Sequence, residues 1–289
     1  MDKVEVAVDA RAAVGESPVW SIAEQALYWV DVPAGIIHRL EPGSGATRTW
    51  RLPAEVGSVA LSAGGGAIAA LRTGFCLVDF GTGEVAMLEN PEEDQPRTRF
   101  NDGKCDRQGR FWAGTMDIEE TEPLGALYCF SGIGRCRRVL HAVGMSNGLG
   151  WSPDDRTMYH TDSLTGVITA YDYDIASGAV GRARSFAADR LPVVPDGLAV
   201  DADGCVWSVK WDGWRLVRYT PDGRVDTEVA LPVQQPTSCA FGGPALDVLF
   251  VTSASEGLSQ AALRQQPLAG SLLAVDVGAH GLPEPLYQG

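Results

Sequence analysis

The sequence predicts an all-β fold, a six-bladed β-propeller that takes residues 1–289 as one domain, and three observations predict it. The first is an internal template. Six segments align on a small apolar run followed by a turn: ESPVWS (16–21), GSVALS (57–62), NDGKCD (101–106), NGLGWS (147–152), DGLAVD (196–201) and, most loosely, TSCAFG (237–242). Their starts lie 41, 44, 46, 49 and 41 residues apart, and a period in the forties built from short strands is a propeller signature. The second is that every copy continues alike, through an aromatic or β-branched run into a third apolar run that glycine usually opens. The third is the scarcity of helix: only 258–266 (LSQAALRQQ) reads as one, and it is short.

Taken in order, the opening VEVAV alternates as a strand does and precedes the first copy. It is expected to complete the last blade, because ring closure removes exposed sheet edges. Blade 1 reads ESPVWS, ALYWVD and GIIHRL; blade 2 reads GSVALS, AIAALR and GFCLVDF, turning at Gly64-Gly65-Gly66. The polar, proline-bearing stretch 88–97 is a surface loop leading into blade 3, whose runs are NDGKCD, RFWAGT and GALYCF, with an insertion at 118–124. Blades 4, 5 and 6 follow with TMYHTD and GVITAYDY, CVWSVK and WRLVRY, VLFVTS and GSLLAV. The pairs Asp102-Gly103, Asp203-Gly204, Asp212-Gly213 and Asp222-Gly223 are read as the tight turns of the meander.

Composition narrows the function. With 37 acidic against 23 basic residues the formal charge is −14, which argues against nucleic acid as a partner, since that binding rests on basic patches. No run of 18 apolar residues exists to span a membrane, and the first residues lack a signal peptide's apolar stretch. The six cysteines form no CxxC pair and fall mostly in predicted strands, as buried reduced thiols do; the four histidines lack zinc-type spacing. A cytoplasmic protein is expected, monomeric or a weak homo-oligomer.

The template's first position collects the chemistry: Glu16, Gly57, Asn101, Asn147, Asp196 and Thr237. Equivalent blade positions form a ring about the propeller axis, so oxygen-bearing side chains from different blades converge. Glu16, Asn147 and Asp196 make an all-oxygen set of two carboxylates and an amide. Such a set suits one hard divalent cation (calcium, magnesium, manganese or ferrous iron, with zinc a further candidate) and leaves positions open for water and substrate. Turn chemistry accounts for Asn147 and Asp196 singly, each standing before a glycine, but not for their shared register with Glu16. Arg99 lies at the same rim and can offer a guanidinium fork; Glu119, on the blade 3 insertion, can accept from hydroxyl groups. Gly144-Met145-Ser146-Asn147-Gly148 matches the GxSxG nucleophile elbow, but that motif needs a strand-to-helix turn, and here the surroundings are β-rich.

GESPVW, RFNDGKCDRQGRFWAGTM, MSNGLGWS, MYHTDS, PDGLAVDADGCVW and TSCAFGG, in this order, resemble the SMP-30/gluconolactonase family, and the resemblance covers about residues 14–289. It implies a six-bladed propeller with one divalent metal in the channel on Glu16, Asn147 and Asp196. Substrate contacts would fall to Arg99, Asn101 and Glu119, the activity being hydrolysis of small sugar lactones. In that scheme Asp196 is the group expected to assist proton transfer. Aldonolactones are the expected substrates. Aldarolactones come second, should Lys210, which aligns with Asp31 and Asp162, reach the channel and pair with a substrate carboxylate. The alternatives are a two-calcium esterase propeller acting on aromatic lactones or phosphotriesters, and a non-enzymatic calcium-binding interaction platform.

Overall fold

The computed structural model describes residues 3–289, and the elements it shows are short strands and one helix, Gln260–Gln265, capped by Ser259. The strands form six four-stranded antiparallel sheets. Five are consecutive meanders; the sixth joins Pro236–Gly242, Val248–Ser253 and Leu272–Asp276 to the opening strand Lys3–Val8. The first strand of the chain thus closes the ring, as its alternation predicts.

Burial falls from the centre outward. The innermost strands Gly15–Ser21, Val56–Leu61, Ser146–Trp151 and Pro236–Gly242 are buried along their whole length, whereas the outer strands Ala46–Arg51 and Val225–Ala230 each bury one residue. Six apolar clusters occupy the gaps between adjacent blades. Blade 1 gives Trp20 and Trp29 to a cluster with Phe250 and Leu272 of blade 6, the Trp20 and Phe250 rings stacking at 5.8 Å. The core is therefore a ring of packed seams about the axis.

Each innermost strand carries an irregularity at the same place. The pairing with its neighbour slips by one residue between Glu16 and Val19, Val56 and Ser58, Phe100 and Gly103, Asn147 and Leu149, Pro195 and Leu198, and Pro236 and Cys239. These are β-bulges, which bend a strand and re-aim its side chains, and the template's first position sits in all six. Glycine is required beside them by crowding: a Cβ on Gly57 would stand 2.4 Å from the carbonyl oxygen of Asn101, and one on Gly197 would stand 2.2 Å from Ser238 Oγ. Asp102-Gly103, expected as a turn, belongs to one of these bulges inside Thr98–Cys105; the other three DG pairs do lie in turns.

The residues after the last strand run across the face where innermost strands turn into second strands. The tail bonds Leu246 and Ala202 near Gly281, then reaches Leu61, Ala63 and Gly109 at Tyr287 and Gln288. In between, Glu284 accepts from Lys104 Nζ at 2.8 Å. Tyr287 buries its ring against Phe130. This face of the channel is closed and the opposite face is open.

Candidate metal and substrate site

At the open end lies a cavity of about 590 Å3 lined by Glu16, Arg99, Asn101, Asn147, Asp196 and Thr237 among others. Five of the six template positions therefore face one space; the sixth, Gly57, has no side chain. Glu16, Asn147 and Asp196 are each buried to within a few per cent.

A chain of hydrogen bonds orders the polar wall across three blades. Arg99 Nη1 donates to Asn101 Oδ1 at 2.9 Å, and Asn101 Nδ2 donates to the Ser146 carbonyl (2.9 Å) and to Asn147 Oδ1 (3.2 Å). Asn147 Nδ2 donates to Ser163 Oγ (2.9 Å), which donates to the carbonyl of Pro195, the residue before Asp196. With its amide nitrogen committed, Asn147 keeps its oxygen facing the channel, and that oxygen has a second lone pair available.

The carboxyls show what the site lacks. Burial raises the Glu16 carboxyl well above the usual range, with Asp196 and Asp102 adding to the rise; its bond from the Ser17 amide and the charge of Arg99 oppose it. Asp196 is likewise raised by burial and then by Asp102. Its Oδ1 is buried with no hydrogen-bond partner. Buried polar atoms are nearly always satisfied, and two mutually repelling buried acids with an unsatisfied oxygen are what a cation would stabilise. Among the described residues no three His, Cys, Asp or Glu side chains gather as a metal cluster, so the donor set is two carboxylates and an amide. The residues present fit a hard divalent ion. Beneath it, Asp102 is raised to about 6, mainly by burial, and Lys104 stands below.

Other sequence expectations are placed differently. Glu119 points outward, its carboxylate 3.3 Å from Arg97, and does not line the cavity; its neighbour Glu120 does. Lys210 does not reach the channel, which removes the basis for ranking acidic lactones as a second substrate class. It is fully buried, donating to Asp189 at 2.7 Å and Ser208 at 3.1 Å beside the Tyr219 ring. Its alignment with Asp31 and Asp162 is nonetheless meaningful. Those two carboxylates accept from the amides of Ala13 and Val14 and of Gly144 and Met145, the segments entering blades 1 and 4. Blade 5 has a side-chain ion pair at this position instead, Lys210 with Asp189 of the segment that leads into the blade.

Sequence reasoning missed Glu55, Asp212, Gln235 and Glu256, which also line the cavity. All lie on connections at the open face, and the template register was sufficient to find them: they directly precede an innermost strand or follow a second strand. With these added, the lining holds six carboxylates (Glu16, Glu55, Glu120, Asp196, Asp212, Glu256) and one cation, Arg99, which four of them surround.

Ser146 Oγ lies 2.9 Å from His160 Nε2, yet both are buried and neither lines the cavity. Asp162, the acid nearest this pair, has both oxygens occupied by backbone amides.

Comparison with known proteins agrees with the fold. A family model described as the SMP-30/gluconolactonase/LRE-like region matches residues 14–255. The chain is 41% identical to a 6-deoxy-6-sulfogluconolactonase of Pseudomonas putida, over 96% of each chain. It is 36% identical to regucalcin of Sus scrofa, over 99% of each. Its structure superposes on that of a calcium-binding protein, regucalcin, from Agrobacterium tumefaciens with a TM-score of 0.94 at 28% identity, covering 98% of this chain and 97% of that one.

Proposed function

The chain belongs to the SMP-30/gluconolactonase/LRE-like family, and on that premise we propose that it opens small sugar lactones to sugar acids with one divalent cation on Glu16, Asn147 and Asp196. That it is a lactonase rests on the family and on relatives named for lactone hydrolysis. The metal dependence and the substrate, aldonolactones in preference to acidic lactones, are our reading. The observation that carries the metal site is the buried, unpartnered Oδ1 of Asp196 beside the raised carboxyl of Glu16.

A divalent cation bound there supplies Lewis-acid polarisation of an ester carbonyl and lowers the pKa of water. The protein's own groups do the rest. Arg99 and Asn101, held to each other at 2.9 Å, stand beside the donor set where they can orient ring hydroxyls. The Asp196 carboxylate, which would hold the cation through one oxygen, can take with the other the proton released as water adds to the acyl carbon. The acyl C–O bond then breaks as that proton passes to the ring oxygen, which leaves as a hydroxyl. No covalent nucleophile is needed. One cation is favoured over two because the ring of template positions supplies a single set of donors. The all-oxygen set favours a hard ion, calcium foremost, over zinc.

The test is glucono-1,5-lactone hydrolysis by chelator-stripped protein, with divalent ions titrated back, for wild type and Asp196→Asn. Stripping should lower kcat/KM by about 100-fold or more, restored by one ion per chain, and Asp196→Asn should lose both binding and turnover. Stripped protein that keeps its rate, or an Asp196→Asn protein that keeps both properties, would overturn the scheme.

A further inference from the structure

The cavity is built in two tiers. The template positions form the lower tier. The residues two places earlier, Val14, Glu55, Arg99, Met145, Val194 and Gln235, form the upper one, and all six line the cavity. The residues between the tiers do not line it. Side chains two apart along an extended chain face the same way, so the upper tier stands over the lower, toward the open rim. Three of its members are polar. Arg99 is held to Asn101 at 2.9 Å, and Glu55 lies 3.7 Å from Arg72. Gln235 is 6% exposed, and its Oε1 is buried with no hydrogen-bond partner. The innermost strands pack around the ring in chain order, so Gln235 of blade 6 lies opposite Arg99 of blade 3. The segment that carries it is fastened on both sides. The Gln235 carbonyl accepts from the amide of Ala254 at 2.9 Å. Beside it the backbone amide of Gln234 donates to Gln266 Oε1 at 2.8 Å, Gln266 Nε2 donates back to Gln234 Oε1 at 3.2 Å, and Gln234 Nε2 donates to Asp212 Oδ1 at 2.8 Å. Gln266 is the buried C-cap of the helix Gln260–Gln265, so the helical insertion anchors this edge of the cavity.

We propose, resting on the lactonase reading above, that Gln235 is a specificity-determining residue whose amide binds a hydroxyl of the sugar lactone on the side of the cavity opposite Arg99. Buried polar atoms are nearly always paired, and one left unpaired is costly. Arg99 and Glu55 have partners within the protein; Gln235 Oε1 has none. A hydroxyl is the partner that suits it, because an amide both accepts and donates and so does a hydroxyl. The lactone carbonyl and the ring carbons offer no donor. Held by its neighbours, the amide is in place before substrate arrives, and little ordering is left to be done on binding. The lower tier then handles the ester group, while the upper tier reads the sugar from two opposite blades. A lactone lacking the hydroxyl that faces Gln235 leaves the amide unpaired, and a site built to bond a hydroxyl rejects such an analogue.

The test assays glucono-1,5-lactone and its monodeoxy analogues, each lacking a different hydroxyl, with metal-loaded wild type, Gln235→Met and Gln235→Asn. Methionine matches the length of glutamine without its amide; asparagine keeps the amide but draws it back by one carbon, so a variant that fails to fold leaves the other to answer. In wild type the analogue without the hydroxyl bound by Gln235 should fall about tenfold or more below the parent in kcat/KM. In both variants that gap should close toward one, while the gaps for analogues altered at more distant carbons stay as in wild type. Both variants should still bind one ion per chain. Equal losses on every lactone, gaps that the variants do not move, or loss of the ion would overturn the role of Gln235 while leaving a working lactonase. No turnover of any of these lactones by metal-loaded wild type overturns the lactonase reading beneath it.

Discussion

Ser146→Ala separates two readings of the one motif in this chain that imitates a different enzyme class. Ser146 carries the GxSxG spacing and sits 2.9 Å from a histidine, so a nucleophile and its base are superficially present. The structure argues that the pair is a buried strut between the two inner strands of blade 4. Ser146 is fully buried and the oxygens of Asp162 hold backbone amides. The site uses Ser146 through its main chain, whose carbonyl accepts from Asn101 at 2.9 Å and survives the substitution. Removing the hydroxyl leaves one ring nitrogen of His160 buried and unpaired, a loss of about 1–3 kcal/mol. For a chain of this size the middle of that range is a fall in Tm of roughly 4–8 °C. Turnover should stay within about threefold, whereas loss of a true triad serine removes a factor of about 1,000 or more. Thermal unfolding and steady-state lactone hydrolysis on the same preparation give both numbers. A folded Ser146→Ala protein that has lost its activity 1,000-fold would refute the reasoning.

Further predictions follow from the buried charges. Burial pushes His160 down to about 4, so below pH 6.5 the unfolded chain takes up a proton that the folded one refuses. Stability is lost as pH falls from about 6.5 to about 4, by about 3 kcal/mol in total; denaturant midpoints across that window should flatten in His160→Gln, and an unchanged slope would contradict this. Lys210→Met breaks a buried pair with Asp189 and should cost about 3–5 kcal/mol, while the ratio of rates on neutral and carboxylate-bearing lactones stays as in wild type; a selective loss on the acidic ones would return Lys210 to the channel. Glu120→Gln should raise KM for hydroxylated lactones about tenfold or more, as expected for one lost hydrogen bond to a charged group, and Glu119→Gln should leave it unchanged. The reverse pattern would show that the loop sits differently when substrate is bound.

The sequence made the architecture legible because a propeller repeats itself: each blade restates the strand pattern, and register between copies selects the ring positions. The same register identified Glu16, Asn147 and Asp196 as neighbours although they are up to 180 residues apart. It failed where a blade departs from the shared template. Glu119 and Glu120 lie on an insertion without a counterpart, and adjacent residues on a loop face different ways; Glu120 takes a left-handed backbone conformation, φ 55°, that no pattern announces. Asp102-Gly103 was misread as a turn because aspartate and glycine serve bulges as well as turns. Lys210 was aligned correctly while its direction stayed open, since alignment conveys position within a blade and not the partner across the seam.

The tail that closes the far face leaves the channel with a single door. Whatever enters at the open rim leaves by it, so occupancy is strictly one in, one out: the sugar acid must depart before the next lactone arrives. Ring opening helps, because it converts a neutral guest into an anion within a basin where four carboxylates, Glu55, Glu120, Asp212 and Glu256, stand clear of the proposed cation's ligands. The chemistry therefore turns a welcome occupant into a repelled one, and the acidity that screens what comes in also drives the product out.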